Sequence, residues 1–506
     1  MRADLPTVAP ADEHNRVLVE NTHPPEWANP QPTGRYNLVV LGAGTAGLVS
    51  AAGAAALGAR VALIEKHLLG GDCLNYGCVP SKAVIRAARV AETVREASNY
   101  GVHIEGGFRV NFNEAMERMR RLRSLISAHD SAHRFRDLGV DVFLGEGRFT
   151  GRSTVEVRGQ KLEFARAIIA TGARATNPTF PGLAEAGFLT NETVFSLTEL
   201  PRQLCVIGAG PIGCEMAQAF RRLGSEVCII TDGTKILPKE DPDASAIVQR
   251  RFEQEGIRLV LGARIRKVET VDGTRYVVFE QNGREEHTAS DEILVAIGRS
   301  ANVKGLNLEA AGVAYDNKGV RVDDRLRTTN PRIYAAGDIC SRFKFTHAAD
   351  AMARLALRNA LFFGRSKASS LVIPWCTFTD PEVAHVGLYE GEARKRGHQV
   401  VTHTVNMGEV DRAILDGATD GFARVHVDAK TGKILGATLV SEHAGESISE
   451  FVLAMTQGVP VTAFSSTIHP YPTQAEVVKR LGDLSMRARL KPWLRKIFGA
   501  YFRIQR

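Results

Sequence analysis

The stretch "GGDCLNYGCVPSK", from Gly70 to Lys82, sets Cys73 and Cys78 five residues apart in a chain of 506 residues that has seven cysteines. Two thiols at this spacing could ligate a metal or pass electrons as a dithiol. Zinc sites pair cysteines with two to four residues between them and need further ligands elsewhere. Here four residues intervene and the other cysteines are singletons. Cys205 and Cys228 lie in expected strands and Cys214 in an expected helix, all three as small core residues. Metal binding alone is therefore a poor account, and no structural metal is expected. The pair follows a Gly-Gly turn and precedes Pro80-Ser81-Lys82, which places it at a helix N-terminus. There the helix dipole and a nearby lysine favour a thiolate. A redox-active dithiol is the better reading, and it needs an electron source.

Two segments could supply one. "YNLVVLGAGTAGLVSAAGAAALGARVALIEK" runs from Tyr36 as an apolar strand, a turn with Gly42, Gly44 and Gly47, a helix, and a second strand ending at Glu65-Lys66. "RQLCVIGAGPIGCEMAQAFRRLGSEVCIITD" repeats the plan with Gly208, Gly210 and Gly213, ending at Thr231-Asp232. Such glycines allow a tight turn and close approach of a pyrophosphate to a helix N-terminus, while the distal acid takes a ribose hydroxyl. Two such βαβ units imply two parallel-sheet domains and two nucleotides bound at once. An arginine in place of Asp232 would favour a 2′-phosphate; the acid leans towards NADH, although another loop could supply the cation for NADPH.

The chain is too long for a single core, and three or four domains are expected. Residues 1–35 are polar and proline-rich and read as an irregular arm. "GFARVHVDAKTGKILGATLV" reads as a hairpin in an α+β third domain. The formal charge of +8 is confined to the C-terminal end: from Val477 onward nine basic residues face the single acid Asp483. The body therefore gives no sign of nucleic-acid binding. Few, scattered cysteines fit a reducing cytoplasm, and no basic start followed by an apolar run predicts a signal peptide.

The segment around the cysteines resembles the active-site segment of the class I flavin-dependent pyridine nucleotide–disulfide oxidoreductases, the class of glutathione reductase, dihydrolipoamide dehydrogenase and mercuric reductase. The likeness extends from Tyr36 to Leu481: "AIIATGA" and "DEILVAIGRSANV" are similar to the family's ATG and GR turns, "TTNPRIYAAGDIC" to its second flavin fingerprint, and "CTFTDPEVAHVGL" to the start of its dimerisation domain. The resemblance implies an α/β fold, with two Rossmann-like three-layer domains and a C-terminal α+β dimerisation domain, in a homodimer. It places an FAD domain at 36–183 and 300–368, an NAD(P) domain at 184–299, an interface domain at 369–482 and a basic tail at 483–506. By the same likeness Glu65 holds the adenosine ribose of FAD and Asp338 the ribityl chain. Lys66, Gly71, Gly147, Thr171, Gly172 and Thr346 join the flavin site, and Gly298 and Arg299 the GR turn. Cys78 is the thiol against the flavin, Cys73 the exposed thiol that attacks the acceptor, and Lys82 lies near flavin N5, paired with Glu215. The tyrosine that often gates the nicotinamide pocket is here Pro211.

One departure bears on the acceptor. "STIHPYPTQAEVV" carries Pro472, Thr473 and Glu476 of the family's His-Pro-Thr-x-x-Glu, but the base position is Tyr471, and His469 is a flanking residue. A phenol titrates near ~10 and is a poor base at neutral pH. Mercuric reductases, by resemblance, carry tyrosine here, yet they also end in a vicinal cysteine pair, and this chain has no cysteine after Cys376. The expectation is a mercuric-reductase-like NAD(P)H oxidoreductase reducing Hg(II) or another thiol-reactive acceptor, with Cys73 and Cys78 as transient ligands of the substrate metal. The alternatives are a dihydrolipoamide-dehydrogenase-like enzyme using His469 or Tyr471 as base, and a non-catalytic redox-sensing flavoprotein. The tail, with Trp493, Leu494, Ile497, Phe498, Tyr501 and Phe502 among Arg and Lys, suits docking to an anionic membrane surface or a protein groove.

Overall fold

The computed structural model describes residues 6–176, 178–490 and 492–505; Lys491 and Arg506, counted in the basic tail, lie outside them. Two units result, Met1–Ile236 with Glu253–Leu371, and Leu237–Phe252 with Val372–Arg506.

The segment expected to be an irregular arm contains helix α1 (Glu13–Thr22). Asp12 caps it by accepting from Asn15 N at 2.8 Å, and Leu18 is fully buried. The stretch after α1 is also tied down: Trp27 Nε1 donates to Val142 O at 3.0 Å, and Asn29 exchanges two hydrogen bonds with the Leu144 backbone. These anchors are single polar side chains reaching distant backbone, so no apolar period announces them.

From there the chain alternates β1 (Arg35–Leu41), α2 (Thr45–Ala56), β2 (Val61–Glu65), α3 (Gly71–Asn75), α4 (Cys78–Glu96) and α5 (Phe112–Ser127). β3 (Val140–Leu144), β4 (Gly147–Gly151), β5 (Thr154–Val157) and β6 (Gln160–Ile169) follow. The sheet order is β3-β2-β1-β6-β5-β4, with the inner strands β3, β2, β1 and β6 parallel. The second half of β1, Leu38 to Leu41, reads as an unbroken apolar run because both its faces are covered. The second βαβ unit is β7 (Gln203–Ile207), α6 (Pro211–Leu223) and β8 (Glu226–Ile230), extended by β9 (Arg258–Val260). A meander of β10 (Arg264–Val271), β11 (Thr274–Gln281) and β12 (Arg284–Ser290) precedes β13 (Glu292–Val295), which closes the order β9-β8-β7-β13. The chain then returns to the first sheet: β14 (Ile333–Ala335) pairs with β6, and α7 (Thr346–Leu361) shares a core with α2. Alanines and glycines along α2 let the two helices approach closely; a Cβ on Gly53 would stand 2.9 Å from Leu357 Cδ2.

Arg222 at the end of α6 is buried with Glu255, at 3.0 and 2.7 Å. Arg222→Ala would remove the guanidinium that holds both oxygens of this buried carboxylate, leaving Gln218 as a neutral donor to it, and a loss of about 3–5 kcal/mol is expected. It would appear as a lower urea midpoint for this unit's transition.

The second unit is an antiparallel sheet in the order β15 (Pro374–Thr377), β16 (Glu382–Gly387), β19 (Ile434–Ser441), β18 (Phe422–Asp428), β17 (Val400–Asn406). It carries α8 (Ala444–Gln457) and α9 (Glu476–Ala488), with α10 (Pro492–Ile504) after them. Residues 237–252, expected within the second nucleotide domain, group with this unit. Glu240 accepts from Trp375 Nε1 at 2.8 Å and from Tyr389 OH at 2.6 Å, and Arg424 pairs with Asp241 and Asp243.

Candidate active site

The dithiol is positioned by backbone that tolerates only glycine. Gly42, between β1 and α2, has φ +97°, and a Cβ there would lie 2.5 Å from Ala170 O. At Gly71 φ is +57°, and a Cβ would meet Gly44 Cα at 2.6 Å. The first dinucleotide turn and the turn before the cysteines are thus pressed together, with Gly44 bridging Gly70. Gly44 and Gly210 N-cap α2 and α6 without a side-chain cap, so the first-turn N–H groups of both helices, Pro211 having none, remain available to an anion. Gly47 and Gly213 each pack on the carbonyl of their own turn's first glycine, Gly42 and Gly208.

Glu65 ends β2 and accepts from Ala43 N at 2.7 Å and His67 N at 2.8 Å; desolvation pushes its carboxyl upward against those bonds. Lys66 is a surface residue 4.0 Å from Glu146, and Gly147 opens β4 against Ile64. Thr171 and Gly172 are tied to Asn302, whose Nδ2 donates to Thr171 O at 2.9 Å and whose N donates to Gly172 O at 3.0 Å. Gly298, at φ +133°, leads into Arg299. Arg299 donates to Ala173 O at 2.9 Å, pairs with Asp72, and lies 3.7 Å from Asp338. It thereby links the two flavin-type turns to the residue before Cys73. Thr231 and Asp232 follow β8, with Asp232 exposed.

Cys73 sits in α3 and Cys78 is the first residue of α4. Their thiols are hydrogen-bonded, and that bond is the largest cause holding Cys78 down at about 6 while Cys73 is pushed up. For Cys78, desolvation opposes, whereas Thr346 Oγ1, 3.3 Å away, and the charge of Lys82 add to the lowering. Lys82 Nζ is 2.8 Å from Glu215 Oε2, which is buried. Cys73 is half-buried, and Cys78 lies on the open side of its helix start, the side expected to face the flavin. Cys73 lies in mid-turn with the Gly77 backbone folded against it, whereas Cys78 opens its helix towards Thr346.

A depressed thiol pKa means that the thiolate persists as pH falls until about 6. In the dithiol form, alkylation of Cys78 by iodoacetamide is accordingly expected to rise through a midpoint near about 6. Thr346→Val and Lys82→Met should move that midpoint up towards the free-thiol range near ~8.5. Glu215→Gln should move it down, since the Glu215 charge opposes the thiolate.

The base segment lies in the second unit. Tyr471 OH donates to Asp411 Oδ2 at 2.8 Å, and this bond, with the charge of Asp411, raises the phenol's pKa. His469 Nε2 is 2.9 Å from Glu450 Oε2, and its Nδ1 is 3.1 Å from Thr467 O. Glu476 Oε1 accepts from Arg480 at 3.2 Å, while Oε2 is buried without a hydrogen-bond partner. Asp72, Asn302, Asp411 and Glu450 were not singled out by sequence reasoning. Only Asp72, an acid directly before Cys73, carried a local signal.

Two glycine-turn nucleotide domains, a dithiol at a helix start between them, and an antiparallel α+β domain define a nicotinamide-linked flavoprotein with a redox-active cysteine pair. The chain belongs to the pyridine nucleotide-disulphide oxidoreductases: that family matches over residues 36–353 and its dimerisation domain over 373–481. Mercuric reductase of Bacillus cereus is 37% identical over 445 residues, 88% of this chain and 70% of that protein. Dihydrolipoyl dehydrogenase of Mycoplasma pneumoniae is 33% identical, over 88% of this chain and 97% of that one. Among solved structures, the HOCl-induced flavoprotein disulfide reductase RclA from Escherichia coli aligns with TM-score 0.79 at 28% identity, over 89% of this chain and 100% of that one. LpdA from Mycobacterium tuberculosis aligns at 0.80 with 26% identity, over 88% and 98% of the two chains. The family is FAD-dependent and uses NAD(P)H, and the dimerisation domain points to a homodimer. The residues present fit FAD: the start of α2 at Gly44 has no side-chain cap and offers its N–H groups to a pyrophosphate, and Arg299 Nε is a buried donor without a hydrogen-bond partner.

Proposed function

We propose that the protein is a mercuric-reductase-like enzyme that passes electrons from NAD(P)H to Cys73–Cys78 and on to Hg(II) or another thiol-reactive acceptor. Bound FAD supplies the two-electron step between nicotinamide and disulfide. It would be held by the Gly42–Gly47 turn, Glu65, the Thr171–Gly172 turn, Asp338 and Thr346; NAD(P)H would use the turn from Gly208 to Gly213, with Asp232. In this reading Lys82, oriented by Glu215, supplies the positive charge that favours the Cys78 thiolate. Cys73 stays a thiol until an acceptor displaces its proton.

The observation that carries the reading is Tyr471. Its hydroxyl is spent as a donor to Asp411, and its raised pKa makes it a still poorer base. Breaking an acceptor disulfide requires proton delivery to the departing thiol, and a positioned base speeds that transfer. A soft divalent metal ion displaces the Cys73 proton to solvent as it binds the two thiolates, and its reduction then takes two electrons from them, leaving the disulfide, and no proton, so it dispenses with a positioned base. Cu(II) complexes of RclA add support for a metal-ion acceptor. One observation favours the lipoamide alternative: His469 and Glu450 form a histidine–carboxylate pair of the type that could act as a base.

Anaerobic titration with NADH and then NADPH, followed by Hg(II) and lipoamide as acceptors, tests the assignment. A long-wavelength thiolate–flavin band on reduction, with Hg(II) turnover well above lipoamide turnover, is expected. Bleaching without that band, or lipoamide as the faster acceptor, would overturn it.

A further inference from the structure

Helix α10 follows the matched dimerisation domain and lies beyond both matched regions of the chain. Trp493, Ile497, Phe498, Tyr501, Phe502 and Ile504 are each between 47 and 85% exposed. At about 100° per residue they fall on one continuous side of the helix, while Lys496 and Arg503 fall on the other. From Leu484 to Arg506 the sequence has seven basic residues and no acid. A helix of 13 residues spans about 20 Å, short of a bilayer's apolar thickness. Among the described residues no helix is long and apolar enough to cross a membrane.

We infer that α10 docks the enzyme on an anionic lipid surface, lying in the interface plane with its aromatic side in the acyl boundary and its basic residues among the headgroups. Charge complementarity selects this occupant. A second copy would bring two strongly positive tails together without a counter-charge. A nucleic acid would take the basic side but leave the apolar side in water, whereas Trp and Tyr favour the membrane–water boundary. The inference is independent of the acceptor.

Flotation of the full-length holoenzyme with phosphatidylcholine vesicles, with and without phosphatidylglycerol, tests it at physiological salt. The protein should float with the anionic vesicles and bind neutral ones roughly tenfold or more weakly. Phe498→Ser/Phe502→Ser should weaken anionic binding by about tenfold or more with NAD(P)H-dependent turnover unchanged, and Lys496→Glu/Arg503→Glu should do the same. Failure to float, equal binding to both vesicles, or undiminished binding by both variants would overturn the inference. So would assembly beyond a dimer that the Phe498→Ser/Phe502→Ser variant abolishes, because a second copy would then be the occupant.

Discussion

Cys73→Ser is expected to lower NAD(P)H-driven reduction of any acceptor by about a thousandfold or more, because the proposed pathway runs through a dithiol and one sulfur cannot form a disulfide. The variant should leave the other half of the pair nearly intact. The largest cause of Cys78's low pKa is the hydrogen bond from Cys73, and a serine hydroxyl can donate in its place. Thr346 and Lys82 are untouched. The Cys78 thiolate and its long-wavelength flavin band should therefore persist in Cys73→Ser without any reductant. Cys78→Ser should lose both band and turnover. Steady-state turnover with the visible spectra of both variants checks this, and retained turnover in Cys73→Ser would exclude the dithiol route.

Tyr471→His is expected to raise lipoamide turnover by about 10²–10⁴-fold, the usual contribution of a positioned acid–base group. The site is already prepared for an imidazole. Asp411 would lose its phenol partner, and Glu476 Oε2 is a buried acceptor without one. An imidazole N–H offered to that oxygen would orient the ring and support its protonated form. Hg(II) turnover should change little, since metal reduction consumes no proton. Parallel assays with both acceptors separate the two readings. If lipoamide turnover stays flat, more than the missing base separates this chain from the dihydrolipoyl dehydrogenases.

The α/β architecture was legible because each nucleotide unit is local: strand, glycine turn, helix and acid occupy about thirty consecutive residues, and Gly42 and Gly208 turn the chain at positive φ, where glycine is favoured. The N-terminal helix was not legible. Its cap is one aspartate, and the anchors of the helix and of the stretch after it lie more than a hundred residues away, at Ser127 and at Val142 and Leu144. The grouping of 237–252 with the C-terminal unit escaped for the same reason, since Trp375, Tyr389 and Arg424 are remote in sequence.

Residue identity and short-range spacing by themselves determined that this chain carries two nucleotide turns and a dithiol at a helix start; the family resemblance added that tyrosine stands where the family has its base. These are properties of neighbours along the backbone. The tertiary structure completed the electrostatics of those groups. It holds Cys78 down through Cys73, Thr346 and Lys82, ties Arg299 to Asp72 and Asp338, and turns the Tyr471 hydroxyl to Asp411. A pKa follows from charges and donors within a few ångströms; Cys73 and Lys82 are sequence neighbours of Cys78, but Thr346, and the partners of Arg299 and Tyr471, come from segments tens to hundreds of residues away.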